Sequence, residues 1–127
     1  MNMSEFFLKI PYVNRYFFNG SFSYVAIGDS TVEGVGASHI SKTYTAVISS
    51  ALKKSYRHVE YYNLGKRGAQ VNDVIHTQLE KTIEVNPNLI TISIGANDIF
   101  KRKSVKQFAG ELDALLKTLV DTTNATI

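Results

Sequence analysis

Three times along the chain, a strand-like run ends at a glycine-containing loop, and a helical pattern follows. The runs lie at residues 22–27, 59–64 and 89–94. Their spacing of roughly 30 residues is typical of βαβ units. Such units build a parallel sheet with right-handed crossovers, and the sheet brings the loops at the carboxyl ends of its strands to one edge. The sequence therefore predicts an α/β fold in which three distant loops meet.

Helical periodicity predicts helices at residues 43–55, 71–84 and 104–121. Apolar residues three and four positions apart indicate which side of each helix is buried. In the first helix these residues are Tyr44, Val47, Ile48 and Ala51. In the second they are Val71, Val74, Ile75, Leu79 and Ile83. In the third they are Val105, Phe108, Ala109, Leu112, Leu116 and Leu119. Residues 125–127 resemble the start of a fourth strand.

The composition is that of a single ordinary globular domain. Hydrophobic residues make up 44% and charged residues 20% of the 127 positions, which excludes disordered and fibrous classes. The absence of cysteine excludes disulfides and thiol chemistry, and no cluster of histidines or carboxylates predicts a metal, so no cofactor or metal is expected. The positive residues behind the net charge of +3 are scattered, so no nucleic-acid partner is expected.

Residues 1–20 are predicted to form an aromatic amino-terminal arm, ahead of a domain at residues 21–127. The arm carries Phe6, Phe7, Tyr12, Tyr16, Phe17 and Phe18. Because exposing such rings singly is unfavourable, we expect the arm to pack along the sheet edge or against a second chain in a homo-oligomer. The arm lacks the pattern of a signal peptide, and no apolar run is long enough to span a bilayer, so a cytoplasmic location is expected.

The first glycine-containing loop carries the candidate nucleophile, Ser30, directly after Gly28 and Asp29. A turn at the carboxyl end of a strand can hold a hydroxyl out of the packed layers. Attack of a serine on an ester needs a base for its proton and preset donors for the oxyanion. The backbone N–H groups of Ser30 and Gly68 and the side-chain amide of Asn97 can supply those donors where the three loops meet.

The three loops resemble, in order, the first three sequence blocks of the GDSL-like, or SGNH, hydrolase family. They read Gly-Asp-Ser at residues 28–30, Asn-Leu-Gly-Lys-Arg-Gly at 63–68 and Gly-Ala-Asn-Asp at 95–98. The resemblance implies a flavodoxin-like three-layer α/β/α sandwich with a parallel sheet. It also implies a serine hydrolase, of the esterase, lipase or acyl-hydrolase type, that acts on a small-molecule carboxylic ester.

By the same resemblance, Ser30 is the catalytic nucleophile, and Gly68 and Asn97 complete the oxyanion hole. Asp29 and Gly95 are assigned to substrate binding. Asp29 is also a candidate for a structural role, through hydrogen bonds to the neighbouring loop backbone.

The chain departs from the family pattern at two points. Thr31 replaces a leucine that lies outside the reacting atoms. The family's fourth block is an Asp-x-x-His near its carboxyl terminus, which supplies the base and its orienting acid. We interpret this block as missing. The resemblance therefore implies a truncated, amino-terminal portion of the domain that is inactive in this form, unless a second chain or a downstream segment supplies the base. His39, His58 and His76 are interpreted as surface or boundary residues. A non-catalytic domain that binds a ligand or partner is the alternative function.

Overall fold

The computed structural model describes residues 18–127, and its sheet is parallel throughout. Its strands are β1 (Phe18–Gly28), β2 (Tyr56–Asn63) and β3 (Leu89–Ser93), in the spatial order β2-β1-β3. Thr126 adds a parallel bridge to Leu89 at the outer side of β3. The prediction that residues 125–127 begin a fourth strand agrees with this bridge.

Helices cover both faces of the sheet. Among the described residues they are α1 (Ser30–Glu33), a 3₁₀ turn (Ile40–Lys42), α2 (Tyr44–Ser55), α3 (Val71–Thr77), α4 (Leu79–Val85), α5 (Ala96–Phe100) and α6 (Val105–Thr122).

Alternate residues of β1 enter two separate hydrophobic clusters. Val25 and Ile27 pack with residues of α3, α4 and α6 on one face. Tyr24 and Ala26 pack on the other face with Val32 and with residues of α2. Residues of β1 from Tyr24 to Ile27 have no exposed surface, as expected for a central strand covered on both sides. The arrangement confirms the three-layer α/β/α sandwich.

Two predicted buried faces are partly wrong. In α6 the buried stripe runs through Phe108, Leu112, Leu115 and Leu119, while Val105 is 84% and Leu116 37% exposed and Ala109 is exposed too. In α2, Val47 and Ala51 are exposed, whereas Thr45 and Ser49 are buried. In both helices, part of the buried side is therefore a stripe of residues next to the one that the apolar pattern predicts. The inward face predicted for residues 71–84 is confirmed, because all five residues contribute to one core cluster.

The single helix predicted at residues 71–84 is in fact two helices. Gln78 separates α3 from α4, with φ −119° and ψ −26°. The amino-terminal arm lies outside the described residues except for residues 18–20, which belong to β1. The packing of the arm and its part in an oligomer therefore stay predictions. Within residues 18–127, every helix is too short or too polar to cross a bilayer.

Candidate active site

Ser30 is the first residue of α1 and lies two residues after the end of β1. Asp29 caps the helix, because its carboxylate accepts a hydrogen bond from the Thr31 N–H at 2.9 Å. A first-turn residue has no partner for its N–H within the helix, so the Ser30 N–H is available to a ligand. Its side chain is half-buried, and no group among residues 18–127 forms a hydrogen bond with its hydroxyl.

The loop after β2 is bound to the loop after β1. The Lys66 N–H donates to the Gly28 carbonyl at 3.0 Å, and the Arg67 N–H donates to the Glu33 carboxylate at 2.8 Å. Gly65 approaches so closely that an added Cβ would lie 2.6 Å from the Val32 side chain. These contacts fix the turn that contains Gly68 relative to the turn that contains Ser30.

The last residue of β3 and the loop after it contact the other two loops. The Asp29 N–H donates to the Ser93 carbonyl at 3.1 Å. The Asn97 side-chain amide donates to the Ala69 carbonyl at 3.0 Å, and Ala69 follows Gly68 directly. The three predicted loops are therefore connected pairwise at the carboxyl edge of the sheet.

Gly68 lies on an exposed turn with φ +82°, and no described residue accepts a hydrogen bond from its N–H. It lines an open cavity of about 480 Å³ together with Leu64, Arg67, Asp73 and Gln78, among others. A free N–H beside a cavity is a suitable donor for a ligand oxygen.

Asp29 and Gly95 are both buried. Asp29 is 4% exposed and its carboxylate is engaged in capping α1. Gly95 precedes α5 with φ +128°, and an added Cβ would contact the Phe108 ring at 3.4 Å. The hydrogen bond of Asp29 is local and structural, and Gly95 lies close to the side chain of Phe108. Substrate binding by either residue stays a prediction.

Neither His39 nor His58 is hydrogen-bonded to Ser30. His39 is exposed and caps the 3₁₀ turn, because its Nδ1 accepts from the Ser41 N–H at 3.1 Å. His58 lies near the amino end of β2, with Ser21 and Arg57 around a separate cavity. That end of a parallel strand is opposite the edge at which Ser30 lies.

The interpretation of the fourth block as missing overlooked one Asp-x-x-His, at residues 73–76. This motif precedes the third block instead of following it, and it lies within α3. The Asp73 carboxylate accepts from the Gln70 N–H at 2.8 Å and so caps that helix. The His76 Nδ1 lies 2.7 Å from the Asn72 carbonyl one turn earlier, and the ring is exposed. Neither residue is hydrogen-bonded to Ser30.

Asp98 forms a buried contact that links two elements. It is 1% exposed, its carboxylate oxygens each lie 3.3 Å from the Val71 N–H, and Lys103 donates to it at 2.6 Å. Lys103 also pairs with Glu111. Burial alone would lower the pKa of Lys103, but its hydrogen bonds to the two carboxylates raise it overall. The hydrogen bond from Lys103 in turn lowers the pKa of Glu111.

Two residues of the site have partners that the sequence did not indicate. Asp98 lies in the third block, and its carboxylate caps the start of α3, 27 residues earlier. Gln78, which sequence reasoning missed, is 2% exposed, and its side-chain amide binds the backbone of Gly28. A buried amide at a helix break gives no signal in an apolar pattern. Among residues 18–127 no group of acidic and histidine side chains could hold a metal ion.

The parallel three-layer fold, with three connected loops at the carboxyl edge of its strands, is that of an SGNH-type hydrolase domain. The chain belongs to the GDSL-like lipase/acylhydrolase family, whose family model matches residues 26–127. No curated protein sequence matches the chain.

Solved structures similar to the chain include esterases. AlinE4, an esterase of the SGNH-hydrolase family, is 21% identical with a TM-score of 0.67, covering 82% of this chain and 56% of its own. TesA is 18% identical with a TM-score of 0.69, and the match covers 81% of this chain and 57% of TesA. A catalytic mutant of Axe2, an acetylxylan esterase from Geobacillus stearothermophilus, is 19% identical with a TM-score of 0.67. The match covers 84% of this chain and 58% of the Axe2 chain. At these identities the likeness shows the fold, and the chain spans less than two thirds of the length of each structure.

Proposed function

We propose that the domain to which this chain belongs hydrolyses carboxylic esters of small molecules, with Ser30 as the nucleophile. The Ser30 oxygen attacks the ester carbonyl, the alcohol leaves with a proton, and water then releases the acid from the acyl-enzyme. The observation that carries the proposal is the position of Ser30. Its hydroxyl is free of partners among the described residues, on a helix start where three loops are hydrogen-bonded together.

The oxyanion hole is proposed to consist of the backbone N–H groups of Ser30 and Gly68 and the amide of Asn97. An asparagine amide has two N–H groups, and the contact with Ala69 uses one of them. The second remains for a developing oxyanion. An amide suits this role because it donates without titrating, and losing one such donor costs about 3 kcal/mol of barrier.

The base is proposed to come from outside the described residues. His39 and His76 are hydrogen-bonded to their own local backbone, and His58 lies near the amino end of its strand. Without a base, serine attack slows by about 10² to 10⁴. We therefore propose that this chain by itself does not sustain turnover.

A fluorophosphonate probe tests the nucleophile without requiring a complete catalytic cycle. Imidazole added at high concentration stands in for the base that the described residues do not supply. The Ser30 oxygen then forms a bond to phosphorus, fluoride leaves, and the hydroxyl proton passes to the imidazole. We expect intact mass spectrometry to show one adduct, peptide mapping to locate it on Ser30, and Ser30→Ala to abolish it. Ser104→Ala, which replaces a helix-capping serine, is the matched control and should leave the adduct unchanged. An adduct retained in Ser30→Ala would contradict the proposal, as would no adduct at all.

Asn97→Ala tests the oxyanion hole. We expect it to slow adduct formation at least about tenfold, because the charge that develops on the phosphoryl oxygen loses one donor. Asn72→Ala removes an amide from the exposed face of α3 and should have no effect. Circular dichroism should show both variants folded. An unchanged rate in Asn97→Ala would refute the role assigned to that amide.

A non-catalytic binding domain is the second candidate function. It is favoured by the local hydrogen bonds of His39 and His76, and by the open cavity next to Gly68. In that case small esters and their acids should bind equally well to the wild type and to Ser30→Ala, as measured by calorimetry, and the fluorophosphonate should not react.

A further inference from the structure

Gln78 is a polar residue in an almost fully buried position. It occupies the single-residue break between α3 and α4 and is 2% exposed. Burying an amide without hydrogen bonds is costly, so its partners determine what this residue contributes. The Thr82 hydroxyl donates to the Gln78 main-chain carbonyl at 2.8 Å, which holds the start of α4.

The Gln78 side chain binds both backbone groups of Gly28. Its Nε2 donates to the Gly28 carbonyl at 2.9 Å, and its Oε1 accepts from the Gly28 N–H at 2.9 Å. The paired geometry resembles the exchange of hydrogen bonds between neighbouring strands. The same carbonyl also accepts from the Lys66 N–H, so the Gly28 N–H is the group that depends most on Gln78.

Gly28 lies two residues before Ser30 and has no free space around its Cα. An added Cβ would lie 1.9 Å from the Ser93 carbonyl oxygen on β3. Gly28 is therefore held between β3 and the amide of Gln78. Only Asp29 separates this fixed backbone from the candidate nucleophile, so movement of Gly28 also moves Ser30.

We infer that Gln78 is a positioning residue for Ser30, acting through the backbone of Gly28. The inference rests on the proposed function, since it requires Ser30 to be reactive. Gln78 belongs to the walls of the cavity that also contains Gly68. Its two hydrogen bonds thus fix the end of β1 against the α3–α4 junction beside that cavity.

The test compares rates of fluorophosphonate labelling between two Gln78 variants and a control in the same chain. Gln78→Met keeps the length of the side chain but removes both hydrogen bonds to Gly28, and we expect labelling about tenfold slower or more because the hydroxyl shifts. Thr82→Val is the matched control: it removes a buried hydrogen bond in the same region without touching Gly28. Because the side-chain hydrogen bonds between Gln78 and Gly28 remain in this variant, it should label within about twofold of the wild type. Rates are divided by the folded fraction from circular dichroism.

Gln78→Glu adds a rescue that depends on pH. A protonated glutamic acid has the shape of glutamine and can both donate to and accept from Gly28, whereas the ionised form repels the carbonyl. Burial raises the pKa of such a carboxyl. The labelling rate relative to wild type should therefore be low at about pH 8 and recover at about pH 5, while the ratio for Gln78→Met stays flat.

The outcomes separate the two hypotheses. If the wild type labels on Ser30 but Gln78→Met labels at the same rate, the positioning role is overturned and the nucleophile stands. If Gln78→Glu shows the same low ratio at both pH values, the hydrogen-bond mechanism is overturned. If the wild type does not label at all, the proposed function falls and the positioning role falls with it.

Discussion

Buried polar side chains hold the backbone around the candidate site at the carboxyl edge of the sheet. Asp29, Gln78 and Asp98 are each less than 5% exposed, and each accepts hydrogen bonds from backbone N–H groups around that edge of the sheet. Leaving a buried polar group without its partner costs about 1–3 kcal/mol. Each contact therefore favours one arrangement of the loops over the alternatives, as a preorganised site requires.

Gly28 is a residue at which no side chain fits. Its φ is +142°, and a Cβ would overlap the Ser93 carbonyl. Gly28→Ala should therefore destabilise the chain by roughly 3 kcal/mol or more, because β1 and β3 must separate. Urea denaturation monitored by circular dichroism measures this change.

Gly110→Ala is the matched control for Gly28→Ala. Gly110 lies inside α6 with nothing within 4 Å of an added Cβ. Alanine favours a helix over glycine by about 1 kcal/mol, so this variant should be more stable than the wild type. Equal losses of stability in both variants would contradict the assignment of Gly28 to a closed position.

The sequence could predict Ser30, Gly68 and Asn97 as loop residues because each directly follows or closely follows a strand-like run. It could not predict the partner of Gln78, which lies 50 residues away. Nor could it predict that Asp98 caps a helix that begins 27 residues earlier. Such contacts depend on the packed positions of separate elements, and no local pattern records them.

At the scale of elements, α6 provides a comparison of two adjacent leucines. Leu115 is fully buried, whereas Leu116 is 37% exposed. Leu115→Ala should cost about 2–5 kcal/mol because it leaves a cavity in the core. Leu116→Ala should cost about 1 kcal/mol or less, since water already reaches that position. Thermal or urea unfolding of both variants checks the difference, and similar losses would mean that the helix is rotated from the position described.

The apolar pattern of a helix identifies its length better than its exact buried side. The predicted ends of α2 and α6 agree with the structure to within a residue or two. The buried side of α2 is predicted only in part, because it also contains polar residues. The Thr45 hydroxyl accepts from the Tyr61 hydroxyl on β2 at 2.7 Å, so a threonine can be buried there in place of an aliphatic residue. Hydropathy alone does not reveal a partner on another element.

At the scale of the whole molecule, the repeated strand, loop and helix pattern was sufficient to predict a parallel α/β sheet. The repetition alone does not fix the strand order, because it also fits a sheet in which β1, β2 and β3 lie in chain order. In the structure β1 lies between β2 and β3, and its alternating side chains join two cores. The central position of β1 makes both cores depend on one strand, and Ser30 follows its end.

The core on the α2 side contains tyrosines, so the stability of the whole chain should fall at alkaline pH. Burial raises the pKa of Tyr24 to about 12, although its hydrogen bond to Thr91 opposes the shift. In the unfolded chain the pKa is near the ordinary value of 10.0. Above that pH the unfolded state loses a proton that the folded state keeps, so stability present below pH 10 falls as the pH rises toward 12.

Tyr24→Phe should therefore reduce the alkaline loss of stability, by about 2–3 kcal/mol across this interval, because phenylalanine has no proton to lose. The variant also loses the hydrogen bond to Thr91, so the test is the slope of unfolding free energy against pH, not its absolute value. Urea unfolding in steps of pH gives that slope, and absorbance of tyrosinate follows ionisation. A residual slope is expected from Tyr44, whose pKa burial also raises. Identical slopes in wild type and variant would mean that Tyr24 ionises freely in the folded chain.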